Sequence, residues 1–150
     1  MNDPATFSDS SARHALPHLF AGQAQKEFTV NEALAKIDML LHPVVEGQVT
    51  SEPASPVAGE CVLVGGPASG AFTGHEDRLA SWDGQQWTFT DPVAGMTVYD
   101  RTAGTRIVYL GGWQDAPSVS DPTGGSTIDS EARGAIVALA NALRSHGIIS

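Results

Sequence analysis

The sequence predicts a mainly β protein with flanking helices, an α+β fold made of an N-terminal arm and helix, a small antiparallel β domain and a C-terminal helix. Three observations carry this expectation. The 150 residues include 16 glycines and 9 prolines, a composition that favours tight turns and short strands over long helices. Two turn sequences, Asp83-Gly84 and Gly111-Gly112, each lie between aromatic, β-prone flanks, which is the local signature of a hairpin. Helical periodicity, by contrast, is confined to one segment near each end of the chain.

Taken in order, residues 1–28 read as an extended arm and apolar linker. The first part is rich in Ser, Asp, Asn and Ala without periodicity, as expected of a segment that is flexible or ordered by a partner. The patch His14-Ala15-Leu16-Pro17-His18-Leu19-Phe20 follows, broken by proline and too short to form a core alone. A helix is expected over 29–42. Val30, Ala33, Leu34, Ile37, Leu40 and Leu41 fall at helical spacing and predict one buried stripe. Thr29 and Glu32 fit a capping box, and Pro43 stops the helix.

The β domain is expected over 43–116, with five to seven short strands. Val44–Thr50 is strand-like, Ser51–Pro56 is a proline-rich connector and Cys61–Val64 is a short apolar strand. Gly65–Gly74 is a glycine-rich loop. Arg78–Trp87 and Arg106–Trp113 are the two hairpin segments, with Met96–Asp100 and a turn at Arg101–Thr105 between them. A linker of Pro, Ser, Asp, Thr and Gly is expected over 117–126.

The final helix is expected over 127–149. Asp129 and Glu131 stand at its start and Arg144 and His146 near its end, matching the helix dipole. Gly147 is placed for a left-handed residue just past the end, with Ile148 folding back on Leu143. Ile128, Ala132, Ala135, Leu139 and Ala142 form an apolar stripe that Ile136 and Leu143 widen. A lone helix of this length is marginal in water, so the stripe needs cover. That cover is either the chain's own β domain or other copies in a bundle, and the linker ahead of the helix favours the bundle.

Charge narrows the function classes. The net charge is −9, from eight basic and 17 acidic residues. The two lysines are Lys26 and Lys36, and no Lys or Arg occurs between Ile37 and Asp77. A nucleic-acid footprint needs clustered cations, so no nucleic-acid partner is expected. No apolar run approaches the roughly 18 residues of a membrane span, so no membrane insertion is expected. The start Met1-Asn2-Asp3-Pro4 lacks the basic and apolar regions of a signal peptide, which points to synthesis and folding in a cytoplasm.

The residues that could carry catalysis do not complete a catalytic pattern. Cys61 is the lone cysteine and reads as a small core residue. His14 and His18 are spaced i, i+4, but Pro17 separates them and the glutamate of an HExxH motif is missing. Gly65-Gly66-Pro67-Ala68-Ser69-Gly70 lacks the Gly-Lys-Ser/Thr ending of a phosphate loop. Glu76 and Asp77, near Trp82 and Trp87, give the outline of a glycosidase pair. Neighbours in a strand point to opposite faces, so a solvated loop is the better reading. No enzyme activity and no cofactor or metal are therefore expected. Trp82, Trp87 and Trp113 are candidate glycan contacts, since flat indole faces stack on sugar rings, although in a domain this small the core is the better reading for them.

The block Leu16-Pro17-His18-Leu19-Phe20-Ala21-Gly22-Gln23-Ala24-Gln25-Lys26-Glu27-Phe28-Thr29-Val30-Asn31-Glu32-Ala33-Leu34 resembles the N-terminal signature of an uncharacterised phage-associated domain family. That family occurs in prophages and gene transfer agents of alphaproteobacteria. A proline-rich connector, a glycine-rich region with Gly74-His75 and the Trp-Asp-Gly-x-x-Trp motif at Trp82–Trp87 extend the resemblance to Trp113. It implies a structural virion component, an adaptor or base of a head spike or fibre involved in host attachment, with no catalytic residues to transfer. The expected partners are other copies, as trimer or pentamer, and virion proteins such as capsid or fibre subunits, with cell-surface polysaccharide as a further candidate. A carbohydrate-binding module is the alternative. Leu16, Phe20, Gln23, Gln25, Lys26, Asn31, Ile128, Ala135 and Leu139 are the candidate interface residues, because side-chain amides bond a neighbour's backbone without burying charge.

Overall fold

A computed structural model describes residues 10–19, 26–126 and 129–150. Among them the chain forms two helices and eight short strands, a mainly β architecture with flanking helices, as the sequence predicts. The strands lie in two small sheets, and the chain divides into two compact units, one ending at Pro92 and one spanning Val93–Ser150. The division falls inside the region 43–116.

In the first unit helix α1 spans Lys26–Leu41. It starts earlier than the sequence suggests, so Thr29 and Glu32 are interior helical residues and form no capping box. Glu32 instead pairs with Lys36 one turn on, at 2.7 Å. His42 and Pro43 follow, and β1 (Val44–Val45) is fully buried. β2 (Gln48–Val49), β3 (Cys61–Val64), β4 (Leu79–Trp82) and β5 (Trp87–Thr90) form a sheet in that order. β2 and β3 run parallel, against the expected all-antiparallel arrangement, because the long connector 51–60 returns the chain to the same end. The β3–β4 and β4–β5 pairs are antiparallel.

The core of this unit gathers Val62, Val64, Phe72 and Ala80, with Val49, Trp87 and Phe89 packed against it. Phe72 enters from a short 3-10 turn, Gly70–Phe72, inside the glycine-rich loop. Its ring meets Trp87 and Phe89 edge-on, with centroids 5.1 and 5.8 Å away. Gly70 is required here: its φ is +61°, and a Cβ would strike the carboxylate of Glu52, which accepts the Ala71 amide hydrogen at 2.9 Å.

In the second unit β6 (Thr97–Asp100), β7 (Thr105–Tyr109) and β8 (Trp113–Gln114) form an antiparallel meander. Helix α2 spans Ser130–Ser145. Asp129 caps it, accepting the Ala132 amide hydrogen at 2.8 Å. At the other end Gly147, with φ +64°, donates to Arg144 O at 2.9 Å, and Ile148 donates to Leu143 O at 3.0 Å. These two bonds are the Schellman pattern that Gly147 predicts.

Both expected hairpins set an aromatic pair across their strands. Trp82 faces Trp87 across β4–β5, and Tyr109 faces Trp113 across β7–β8. In the first, Asp83 Oδ1 accepts the amides of Gln85 and Gln86 at 2.7 and 2.8 Å. Asp100 does the same for Thr102 and Ala103 in the β6–β7 turn, at 2.8 and 2.9 Å.

Candidate functional site

Helix α1 is turned the opposite way to its expected orientation. The apolar stripe predicted to be buried faces outward: Val30, Ile37, Leu40 and Leu41 are all exposed, and of that stripe only Leu34 is half-buried. Glu27 and Asp38 are buried instead, together with Met39. The reason lies in the arm. Asp38 accepts the amide hydrogens of Arg13 and His14 at 2.8 and 2.6 Å. Arg13 in turn donates to the carbonyls of Met39 and His42 at the C-terminal end of the helix, at 3.3 and 3.1 Å.

Asn31 completes the clasp. Its Oδ1 accepts from Leu19 N at 2.9 Å and its Nδ2 donates to Leu19 O at 3.2 Å, so one side-chain amide pairs with one peptide as a strand would. The amide chemistry expected of this stretch is thus realised at Asn31, within the chain. The arm is ordered over residues 10–19: Ser11 N donates to Leu16 O at 2.9 Å, and Leu16 N donates to the Ser11 hydroxyl at 3.1 Å.

The arm, the inner face of α1 and the β4–β5 hairpin enclose a cleft of about 440 Å³, with His18, Asn31, Trp82 and Gln86 in its walls. Among the described residues, three of its four carboxylates have named partners, and Glu27 is the fourth. Asp38 holds the arm, Glu32 pairs with Lys36 and Asp83 holds the hairpin turn. Trp82 and Gln86 add an aromatic wall and an amide, groups suited to contacting a polar ligand, beside His18 and Glu27.

The remaining tryptophans have different surroundings. Trp87 stands half-buried between Phe72 and Trp82, the latter 5.4 Å away, and belongs to the core. Trp113 packs on Tyr109 at 5.4 Å. Glu76 and Asp77 do not form a cleft pair: neither lines the cleft that holds Trp82. The Glu76 carboxyl is held below its ordinary range, chiefly by its own backbone amide and then by the amide of Ala68, 3.2 Å away. It anchors the glycine-rich loop. Cys61 is buried, and burial pushes its thiol up to about 12, which removes it from nucleophilic chemistry near neutral pH.

In the second unit α2 shows two distinct sides. Arg133, Val137, Ala140 and Arg144 are buried or half-buried. Arg133 donates to the carbonyls of Pro122 and Gly124, and Arg144 to that of Val119 while lying 3.8 Å from Asp121. The segment 117–125 is therefore laid along the helix and is not a free linker. Ala132, Ala135, Ile136, Leu139 and Ala142 remain exposed, Ile136 at 50% and Leu139 at 62%.

Of the candidate interface residues, Lys26, Ala135 and Leu139 are exposed, Leu16 is half-buried in the arm and Asn31 bonds Leu19. Phe20, Gln23, Gln25 and Ile128 lie outside the described residues. The clasp by Asp38 and Arg13 was missed in the sequence. Glu27, Asn31 and Asp38 recur at helical spacing, and that polar stripe was the available signal. Among the described residues no three His, Cys, Asp or Glu side chains gather as a metal site requires, and no helix is long and apolar enough to cross a membrane.

Residues 30–114 match the model of a family described as proteins of unknown function, DUF2793. The chain belongs to the DUF2793 family. The match opens within α1 and closes at the end of β8, so the outward stripe of α1 and both aromatic hairpins fall inside the family domain, while α2 follows it. No curated protein and no solved structure matches the chain.

Proposed function

We propose that this DUF2793 protein is a non-enzymatic structural subunit of a phage-like particle of the gene transfer agent type. In this reading it forms the adaptor or base of a head spike or fibre that serves host-surface attachment. It acts as a homo-oligomer seated on other virion proteins, and its place is the virion. The observation that carries the reading is the orientation of α1. A helix that buries carboxylates and exposes Val30, Ile37, Leu40 and Leu41 has its apolar face free for a neighbour. Covering such residues stabilises an assembly by about 1.5–3 kcal/mol each when burial is complete. The resemblance of Leu16–Trp113 to the phage-associated domains supplies the particle context.

Mass measurement of the purified protein tests the assembly. An oligomer is expected, lowered in copy number by Ile37→Asp, with the circular dichroism spectrum unchanged because Ile37 is 46% exposed. Imaging of particles lacking the protein tests its place: missing spikes or fibres are expected, and intact appendages would refute the assignment.

A second reading, a module that recognises cell-surface polysaccharide, draws support from Trp82 and Gln86 in the cleft. It predicts glycan-array binding that is lost on Trp82→Ala and retained on Trp113→Ala.

A further inference from the structure

We infer that α2 pairs antiparallel with α2 of a second copy, through Ala132, Ala135, Ile136, Leu139 and Ala142, with a two-fold axis near Val137. The inference rests on the homo-oligomeric reading above and gives it a partner surface and a direction. On one side of the helix, the row Arg133, Val137, Ala140 and Arg144 is taken by the chain's own segment 117–125. On another, Ser130, Gly134, Asn141 and Ser145 form a polar and small row. Between them the exposed apolar residues make a strip one helix wide, and a single helix is the element that covers it.

Charge favours a second copy of this helix as that element. The chain carries −9 overall, yet the strip holds no charged residue. The helix and its cap balance Asp129 and Glu131 against Arg133 and Arg144, so two copies of α2 meet without net repulsion. The acids stand at the N-terminal end, and Arg144 stands in the last turn. Antiparallel pairing sets acidic ends beside basic ends and opposes the two macrodipoles, whereas parallel pairing places like beside like.

Side-chain volume gives the same direction. With the axis near Val137, Ala135 of each copy faces Leu139 of the other, and Ala132 faces Ala142. Each central layer then holds one large and one small side chain and packs evenly. A parallel pair would set Leu139 on Leu139 and Ala135 on Ala135, alternating crowded and hollow layers.

The test uses spin labels at Ser130→Cys and Ser145→Cys in the full chain. Cys61 is 2% exposed with its thiol raised to about 12, so it stays unlabelled. At 1.5 Å rise per residue, and with both labels on the row away from the strip, each variant alone should give an inter-copy distance of roughly 30 Å, and a mixture of the two should add one of roughly 20 Å. Leu139→Asp should raise the dissociation constant at least about 100-fold, since two leucines are lost per pair. Distances of roughly 20 Å in each variant alone with roughly 30 Å in the mixture, or an unchanged assembly in Leu139→Asp, would overturn the antiparallel pairing and leave the oligomer standing. A wild-type chain that is monomeric at micromolar concentration would overturn both.

Discussion

Asp38, buried on the inner face of α1, accepts the amide hydrogens of both Arg13 and His14, and this pair of bonds fixes which way the helix faces. A carboxylate bonded to two amides gains charge-assisted hydrogen bonds that offset its desolvation. Rolling α1 to bury Val30 and Ile37 would break them.

Asp38→Ala should therefore lower stability by about 2–4 kcal/mol, from two hydrogen bonds to a charged group. Hydrogen exchange should show the Arg13 and His14 amides losing protection while the β3–β4 ladder keeps its own. Unchanged exchange at both amides would refute the clasp.

Phe72→Ala should cost about 3–5 kcal/mol in a urea melt, as a large fully buried ring is replaced by a cavity. Phe72 is 0% exposed and supports both Trp87 and Phe89. The Trp fluorescence of the native state should shift as Trp87 loses its edge contact.

Gly147→Ala should destabilise the second unit by more than the roughly 1 kcal/mol of a left-handed alanine. The added Cβ would lie 3.1 Å from Gly104 O and 3.2 Å from the Tyr99 ring, so strain and contact act together. Helicity by circular dichroism should fall, and thermal unfolding should begin earlier.

Glu76 gives the pH dependence. Its folded value lies below the ordinary 4.5, with its own amide and that of Ala68 as the leading causes. A depressed carboxyl contributes stability above its unfolded pKa, and the contribution fades as pH falls through the folded value. Acidification below about pH 4.5 should thus loosen the loop 65–76, seen as line broadening at Ala68 in amide spectra. Glu76→Gln should remove that acid limb.

Much of the fold was legible in the sequence because it rests on local interactions. The Asp83-Gly84 and Gly111-Gly112 turns act within a few residues and delivered the expected hairpins with their aromatic pairs. The end of α2 was equally readable, since Gly147 and Ile148 bond back only to the last turn. The parallel pairing of β2 with β3 was not readable, because a proline-rich connector specifies neither direction nor register. The beginning of α1 was misread for a related reason: Thr29 and Glu32 satisfy a capping pattern by spacing alone, yet the helix already runs through them.

What the sequence by itself determined is the inventory of elements, most of their turns and caps, and the net charge of −9. Periodicity found the apolar stripe on α1 but assigned it inward, since spacing records which residues share a face and not which face is covered. That choice belonged to the tertiary structure. Asp38, Asn31 and Arg13 tie the polar side of α1 to the arm through specific hydrogen bonds over a long sequence separation. Arg133 and Arg144 likewise hold 117–125 to one side of α2. Directional bonds between distant residues took the inward faces, and the apolar residues were left at the surface.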